Sequence, residues 1–393
     1  MKKHLEKIAV VGIVVLAAFL RVNHLSEPSR YYFDEVYHIP TARLIMQGDK
    51  RAFEWTHGDL SEIGIEQQSG TWIDWLHPPL NKYGQALSMK IWGADNSFSW
   101  RISSAAAGVG VVVMVYSLLK KLFPRLWAAR LVGAGLVAIE PMLITQSRIG
   151  MNDMMMIWWM LLGVRAWLWS LERPESWMRW GVMSAVFGLA IGTKWSVALI
   201  APVILVVSMS KLAQQKIWRV LGKLELTVLI ILLTYLLIYS PMLWMGKSPD
   251  HLVGLHQQIW AYQNRTDLEH YAASGPREWV WGQKEVYYNA NDPDIYLRSN
   301  LLIMTAVVVS GGLTAAAGGY LLIKQRGRLA SETQRNMALL LALYGFSFLP
   351  WTLSPRIMFL YHYLPALTFG LMLTGVWAGL GVDYLRNKLK KTS

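Results

Sequence analysis

The residues able to do chemistry gather in six short stretches. The densest is "YYFDEVYH" at 31–38, which sets Asp34 and Glu35 side by side among aromatics. A carboxylate at a lipid–water boundary can serve as a base, because partial burial raises its pKa and a nearby cation lowers it again. The second stretch, "WIDWLHPPLNKYGQ" at 72–85, puts Pro78 and Pro79 where a helix begins, since proline suits a first turn and not an interior. His77 then stands at a helix entrance with Asn81 and Lys82 in the first turn, and such cations beside free amides would attract an anion. The remaining four carry Arg101 (97–104), Arg148, Asn152 and Asp153 (145–156), Lys194 (193–196), and Arg356 with His362 (354–367). Taken singly, each also reads as an ordinary feature: an interfacial turn, a helix start, a turn with one ion pair, a snorkelling cation.

These stretches must be positioned by membrane helices. The chain has 393 residues, 54% hydrophobic and only 16% charged, and its apolar residues come in long runs. Roughly 20 such residues cross the hydrocarbon core as a helix, and unbroken apolar runs exclude a barrel. Spans are expected near 8–22, 98–118, 127–146, 154–171, 180–192, 195–210, 224–244, 300–323, 336–352 and 357–381, with a further or re-entrant helix within 78–95. The first run reads as an uncleaved span, because no small-x-small cleavage site follows it before Arg21. The fold class is therefore an all-α polytopic membrane protein.

The net charge of +13 belongs to topology and not to nucleic acid. With the N-terminus inside, the inner segments collect Lys2, Lys3 and Lys7; Lys120, Lys121 and Arg125; Arg173 and Arg179; Lys211, Lys216, Arg219 and Lys223; Lys324, Arg326 and Arg328; and Arg386, Lys388, Lys390 and Lys391. That alternation follows the positive-inside bias. Two long segments, 23–97 and 245–299, then fall outside and are expected to pack as one cap on a single domain, 1–393. Every short outer turn carries a cation, Arg148, Lys194 or Arg356, against the bias. A lipid-linked phosphate at the outer leaflet would explain them, since Arg and Lys bind phosphate well. There is no Cys, which excludes disulfides and thiolate chemistry.

The ordered set "FDEVYH" (33–38), "HPPLNK" (77–82), "WRISSAAAG" (100–108), "QSRIGMND" (146–153), "GLAIGTKWS" (188–196), "HYAASGPREWVWG" (270–282) and "RIMFLYHYLPAL" (356–367) resembles the dolichyl- or polyprenyl-phosphate-mannose protein O-mannosyltransferases. These belong to the GT-C class of membrane glycosyltransferases. The resemblance implies the GT-C fold with about ten to eleven transmembrane helices and two long outer loops. It implies inverting transfer of a sugar, mannose by the family, from a polyprenyl-phosphate donor to a Ser or Thr hydroxyl of a secreted or membrane protein. The site would face outward from the plasma membrane, amid membrane lipids, with translocon association left open. In this resemblance Asp34 is the general base, Glu35 positions donor or acceptor, and Arg101, Arg148 and Arg356 form a set that binds the donor phosphate and anchors loops. His77 and Lys82 shape the donor pocket. Asp153, Lys194 and His362 complete the expected substrate-binding residues. No metal ligand is assigned. Acids near a phosphate could hold a divalent ion, but the cations make one dispensable.

Three departures stand out. Asn81 occupies a position where the family usually has Gly; the acid that commonly stands two residues before the motif His is here Asp74, three before; and 245–299 is too short for the lumenal domain of eukaryotic members, which suggests a compact prokaryotic type. Related GT-C enzymes acting on lipid A or another glycan or lipid share a similar acid pair. A polyprenyl-linked sugar transporter is the reading from another class; it is disfavoured by the lack of an internal repeat and by ionisable residues lying at the outer edge instead of the midplane.

Overall fold

The computed structural model describes residues 2–55, 73–324 and 331–392. Trp72, Arg326 and Arg328 of the sequence reading lie outside them. Helices stand at all ten stretches expected to span: α1 (Lys2–Val22), α4 (Ser97–Leu122), α5 (Trp127–Ile139) with α6 (Pro141–Ser147), α7 (Asp153–Ser170), α8 (Trp177–Ile191), α9 (Ala201–Leu212), α10 (Ile217–Ile238), α14 (Leu301–Lys324), α15 (Glu332–Phe348) and α16 (Leu364–Thr392). Among the described residues six helices are long and apolar enough to cross a membrane, or seven counting the bent α5–α6 pair as one. α8 is short at 15 residues, and in α1 the charged Glu6, Lys7 and Arg21 bound the apolar run 8–20.

Between these lie α2 (Glu35–Gln47), α3 (Leu80–Trp92), α11 (Ser240–Trp244), α12 (Pro249–Gln263) and α13 (Pro276–Trp281). α3 fills the stretch where a further helix was expected. One feature departs from an all-α chain: the segment 245–299 contains a two-stranded antiparallel hairpin, β1 (Val286–Asn289) and β2 (Ile295–Leu297). The two long segments touch at several points. His251 Nε2 lies 2.8 Å from the Phe53 carbonyl, Lys247 pairs with Glu54, and Arg30 donates to Asn289 Oδ1 at 3.3 Å.

Lipid-facing and packed faces separate by helical period. On α1, Ile8, Val11, Val15 and Phe19 are exposed while Ala17 and Arg21 are buried, a stripe that recurs every three to four residues. Where helices cross tightly, small residues make room. On α16, a Cβ at Gly375 would sit 2.7 Å from the Ala129 carbonyl and from Gly133 Cα of α5, and one at Gly379 would sit 2.8 Å from Ala129. Small residues four apart on both partners are the packing device of membrane helices, where hydrophobicity cannot drive association.

The expected span 127–146 is broken. α5 and α6 meet at 58° because Pro141 supplies no amide to continue the ladder. Glu140 caps α6, accepting from the Leu143 amide at 2.9 Å. Arg21, fully buried, donates to the stranded carbonyls of Val137 (3.1 Å) and Ala138 (3.0 Å) at the end of α5. A charged cap at each side of the break meets the requirement that backbone groups away from water find partners. The turn after α6 is thereby aimed at α2.

Candidate active site

Asp34 is presented by a turn of unusual backbone. Phe33 has φ +49°, a left-handed conformation that a bulky side chain rarely adopts, and its ring is held by stacking on Tyr288 at 4.2 Å between centroids. The residue after this turn is Asp34, the N-cap of α2, whose side chain makes no cap hydrogen bond. Its carboxylate has no hydrogen-bond partner among the described residues and remains partly open. Burial pushes its pKa up to about 6; His38 and Lys194 pull it down, while Asp74 and Asp153 add to the rise. An ionisable, unpartnered carboxylate is what a general base requires.

Glu35 does something different. Its Oε1 accepts from Arg101 Nε (2.8 Å) and the Gly150 amide (2.8 Å), and its Oε2 from Arg101 Nη2 (2.8 Å) and the Tyr32 amide (3.4 Å). Both Glu35 and Arg101 are wholly buried. Arg101 gives its remaining donors to the carbonyls of Leu25 (3.1 Å), Pro28 (2.7 Å) and Arg30 (2.9 Å). A guanidinium has five N–H donors, and all are engaged, so none is left for a phosphate. Arg148 likewise caps the end of α1, donating to Leu20, Asn23 and His24 carbonyls. In this geometry Glu35, Arg101 and Arg148 hold the loop that carries Asp34; the expectation for the two arginines is phosphate binding with loop anchoring, and for Glu35 the positioning of donor or acceptor.

Asp74 is the hub that sequence reasoning left without a role. Its Oδ2 lies 2.8 Å from both His38 Nδ1 and Lys82 Nζ, and its Oδ1 lies 3.2 Å from His77 Nδ1 and 3.1 Å from the Leu76 amide. Burial alone would raise its pKa, but Lys82, His38 and His77 outweigh that and hold it well below the usual carboxylate range. Burial pushes His77 down to about 4 against the pull of Asp74, so its ring is neutral at physiological pH. Three residues of spacing, in place of two, still reach His77 because Pro78 and Pro79 delay the helix until Leu80. Asn81, the other departure, ties α3 to the turn after α6, donating to Asn152 Oδ1 at 2.9 Å and the Met151 carbonyl at 3.3 Å.

A third pair completes the surroundings. Lys194 Nζ is 2.8 Å from Asp153 Oδ1, whose other oxygen accepts from Gln146 at 3.0 Å; Gln146 in turn accepts from the Tyr288 hydroxyl at 2.7 Å. Gln146 and Tyr288 carried no signal in the sequence beyond their neighbours. Arg356, like Arg148, has no carboxylate partner among the described residues. It donates to Gln263 Oε1 and borders an open cleft of about 760 Å³ with Glu269, His270, Tyr271 and Ser274. His362 points its Nδ1 back at the Phe359 backbone (3.0–3.1 Å) and packs on Trp351 at 4.6 Å, so it shapes the wall by fixing the 360–363 turn. Among the described residues no group of three or more His, Asp or Glu side chains is arranged to hold a metal ion.

Residues 11–247 match the family model described as dolichyl-phosphate-mannose-protein mannosyltransferase, and 250–393 match that of the C-terminal four-TMM region of protein O-mannosyltransferase. Protein O-mannosyl-transferase 1 of Rattus norvegicus is 32% identical over 136 residues, which cover 32% of this chain and 18% of the rat protein. Dolichyl-phosphate-mannose–protein mannosyltransferase 1 of Candida albicans is 25% identical over 150 residues, 35% of this chain and 17% of its own. The matched stretch thus spans less than a fifth of these curated relatives. Among solved structures, the S. cerevisiae protein O-mannosyltransferase Pmt1–Pmt2 complex bound to the sugar donor shares the fold with a TM-score of 0.75 at 13% identity, covering 94% of this chain and 84% of that one. ArnT of Cupriavidus metallidurans bound to undecaprenyl phosphate aligns at 0.58 with 16% identity, covering 94% and 59%.

Proposed function

Because the chain belongs to the protein O-mannosyltransferase family, we propose that it transfers mannose from a polyprenyl-phosphate donor to a Ser or Thr hydroxyl of a protein segment, with inversion at the anomeric carbon. The observation that carries this reading is the contrast between the two adjacent acids: Asp34 is open and unpartnered, whereas Glu35 is locked to Arg101. Asp34 takes the proton as the acceptor oxygen attacks. The bond from the anomeric carbon to the phosphate oxygen breaks on the far side, and its electron pair leaves with the phosphate. Glycosidases need a second carboxyl group because an alkoxide leaves poorly. A phosphate needs none, which agrees with Glu35 being unavailable. Arg356, which has no carboxylate partner among the described residues, supplies positive charge for the leaving group, while Lys194 is already paired with Asp153; preorganised charge of this kind contributes several kcal/mol, about 3 for one group. The inner clustering of Lys and Arg favours a site on the non-cytoplasmic face.

The test is sugar transfer by purified protein in lipid nanodiscs, using radiolabelled polyprenyl-phosphate-mannose and a Ser/Thr-rich peptide. Labelled peptide is the expected product. Donor consumption only when a lipid or glycan acceptor is added would replace the protein acceptor. No donor turnover with any acceptor would overturn the reading.

A further inference from the structure

Tyr361 lies in the short helical turn 360–363 that leads into α16, and it is 9% exposed. Its ring is held edge-on to Phe33 at 6.4 Å and stacked on Phe359 at 5.4 Å, with Lys194 Nζ 5.2 Å over its face. The charges that act on its hydroxyl are those of Asp34, Asp153 and Arg356. Its contact with Phe33, the residue before Asp34, and the Lys194 ammonium over its face bring the ring to the neighbourhood of the proposed base. Other enclosed tyrosines here place their hydroxyls: Tyr32 on the Arg148 carbonyl (3.1 Å), Tyr83 on the Ile238 carbonyl (2.7 Å), Tyr288 on Gln146 (2.7 Å) and Tyr363 on Tyr344 (3.1 Å). The Tyr361 hydroxyl makes no hydrogen bond to a described residue, and its oxygen is not among the fully buried unpartnered atoms, so the ring is enclosed while the hydroxyl stays accessible. An enclosed phenol whose hydroxyl keeps a free donor, with the Lys194 ammonium over its ring, fits an anion that arrives with the substrate.

We propose that the Tyr361 hydroxyl donates a hydrogen bond to the phosphate of the lipid-linked donor, and that this bond tightens as the sugar–phosphate bond breaks. The inference rests on the mannosyl-transfer reading for its substrate but on Tyr361 alone for its contact. Tyr361 keeps its proton throughout; the acceptor's proton goes to Asp34, and the electron pair of the broken bond goes to the phosphate. Neither Glu35 nor Arg101 can serve here, since both are fully engaged.

Removing the hydroxyl breaks no bond within the protein, so Tyr361→Phe isolates its contact with substrate. The experiment compares wild type and Tyr361→Phe in full-length protein in nanodiscs, by thermal unfolding, by transfer kinetics, and by affinity for polyprenyl phosphate against polyprenol. Expected are an unchanged melting temperature, a kcat lowered about tenfold to a hundredfold, an unchanged acceptor KM, and weaker binding of polyprenyl phosphate with polyprenol binding unaltered. Equal kinetics and equal binding in the two proteins would overturn the inference while leaving the mannosyl-transfer reading intact. A change confined to acceptor KM would also overturn it, by placing the hydroxyl on the acceptor. A wild type that transfers no mannose but binds polyprenyl phosphate in a Tyr361-dependent way would overturn the function and keep this contact.

Discussion

Glu35 and Arg101, 66 positions apart, form a two-point ion pair at 2.8 Å in which neither side chain reaches solvent. Breaking a buried pair by removing one partner typically costs about 3–5 kcal/mol, because the other charge is left uncompensated. Arg101→Met is therefore expected to lower the thermal unfolding midpoint sharply, and adding Glu35→Gln to recover part of the loss. The double-mutant cycle in detergent checks this; additive effects would mean the two groups do not meet.

Asp34→Asn is expected to reduce transfer by about 10²- to 10⁴-fold, the usual contribution of a general base. In wild type the activity is expected to rise with pH through about 6, where Asp34 ionises, and then level off. The same shift has an opposite consequence for stability. Between pH about 4 and 6 the folded chain holds its proton at Asp34 more tightly than the unfolded chain does, so this group's contribution falls as pH rises. Above that window it amounts to a destabilisation of about 3 kcal/mol. Asp34→Asn is thus expected to melt higher than wild type at pH 7.5 and to match it at pH 4, which scanning calorimetry at the two pH values will read.

Asp74 has the reverse linkage. Its folded pKa is depressed, so its stabilisation is present above about pH 4 and fades as pH falls below that. Asp74→Asn would leave Lys82, 1% exposed, without its counter-charge. A loss of about 3–5 kcal/mol at pH 7 is expected, narrowing in acid, together with reduced transfer. Denaturation of the two proteins across pH 3 to 8 checks the sign as well as the size.

At the α5–α16 crossing, Gly375→Val is expected to destabilise by about 1–3 kcal/mol or more through overpacking, whereas Gly135→Ala, with nothing within 4 Å of a new Cβ, is expected to be neutral. Melting curves of the two variants decide it; equal curves would mean the helices do not cross as described.

The helical plan was readable because apolar runs and alternating loop charge are local signals. Ten expected stretches are helical, and α3 stands where a further helix was anticipated. The break at Glu140–Pro141 was visible as a pair of residues, but an uninterrupted run on either side hid it. The acid pair was found, with Asp34 expected as base and Glu35 as a positioning group, but the partners of Glu35 were not, since only the fold brings Arg101 and Gly150 to it. Asp74 was passed over because its spacing departs from the family's, and its contacts with His38 and Lys82 join segments that the sequence does not show to meet. Tyr361 looked like one more aromatic of a membrane boundary. A hydroxyl without a partner can be recognised only once every neighbour has been placed.

Around Asp34 most fixed charges are paired: Glu35 with Arg101, Asp74 with Lys82 and Asp153 with Lys194, leaving Asp34 and the carboxylate-free Arg148 and Arg356. A site whose charges are mostly paired behaves as a poor ion exchanger. Small mobile anions gain little there, because Lys82 and Lys194 bring their own counter-ions and Arg148 is spent on carbonyls, and inorganic phosphate is accordingly a weak competitor. Discrimination in favour of the lipid-linked donor then rests with its hydrocarbon tail, which only the surrounding bilayer can deliver.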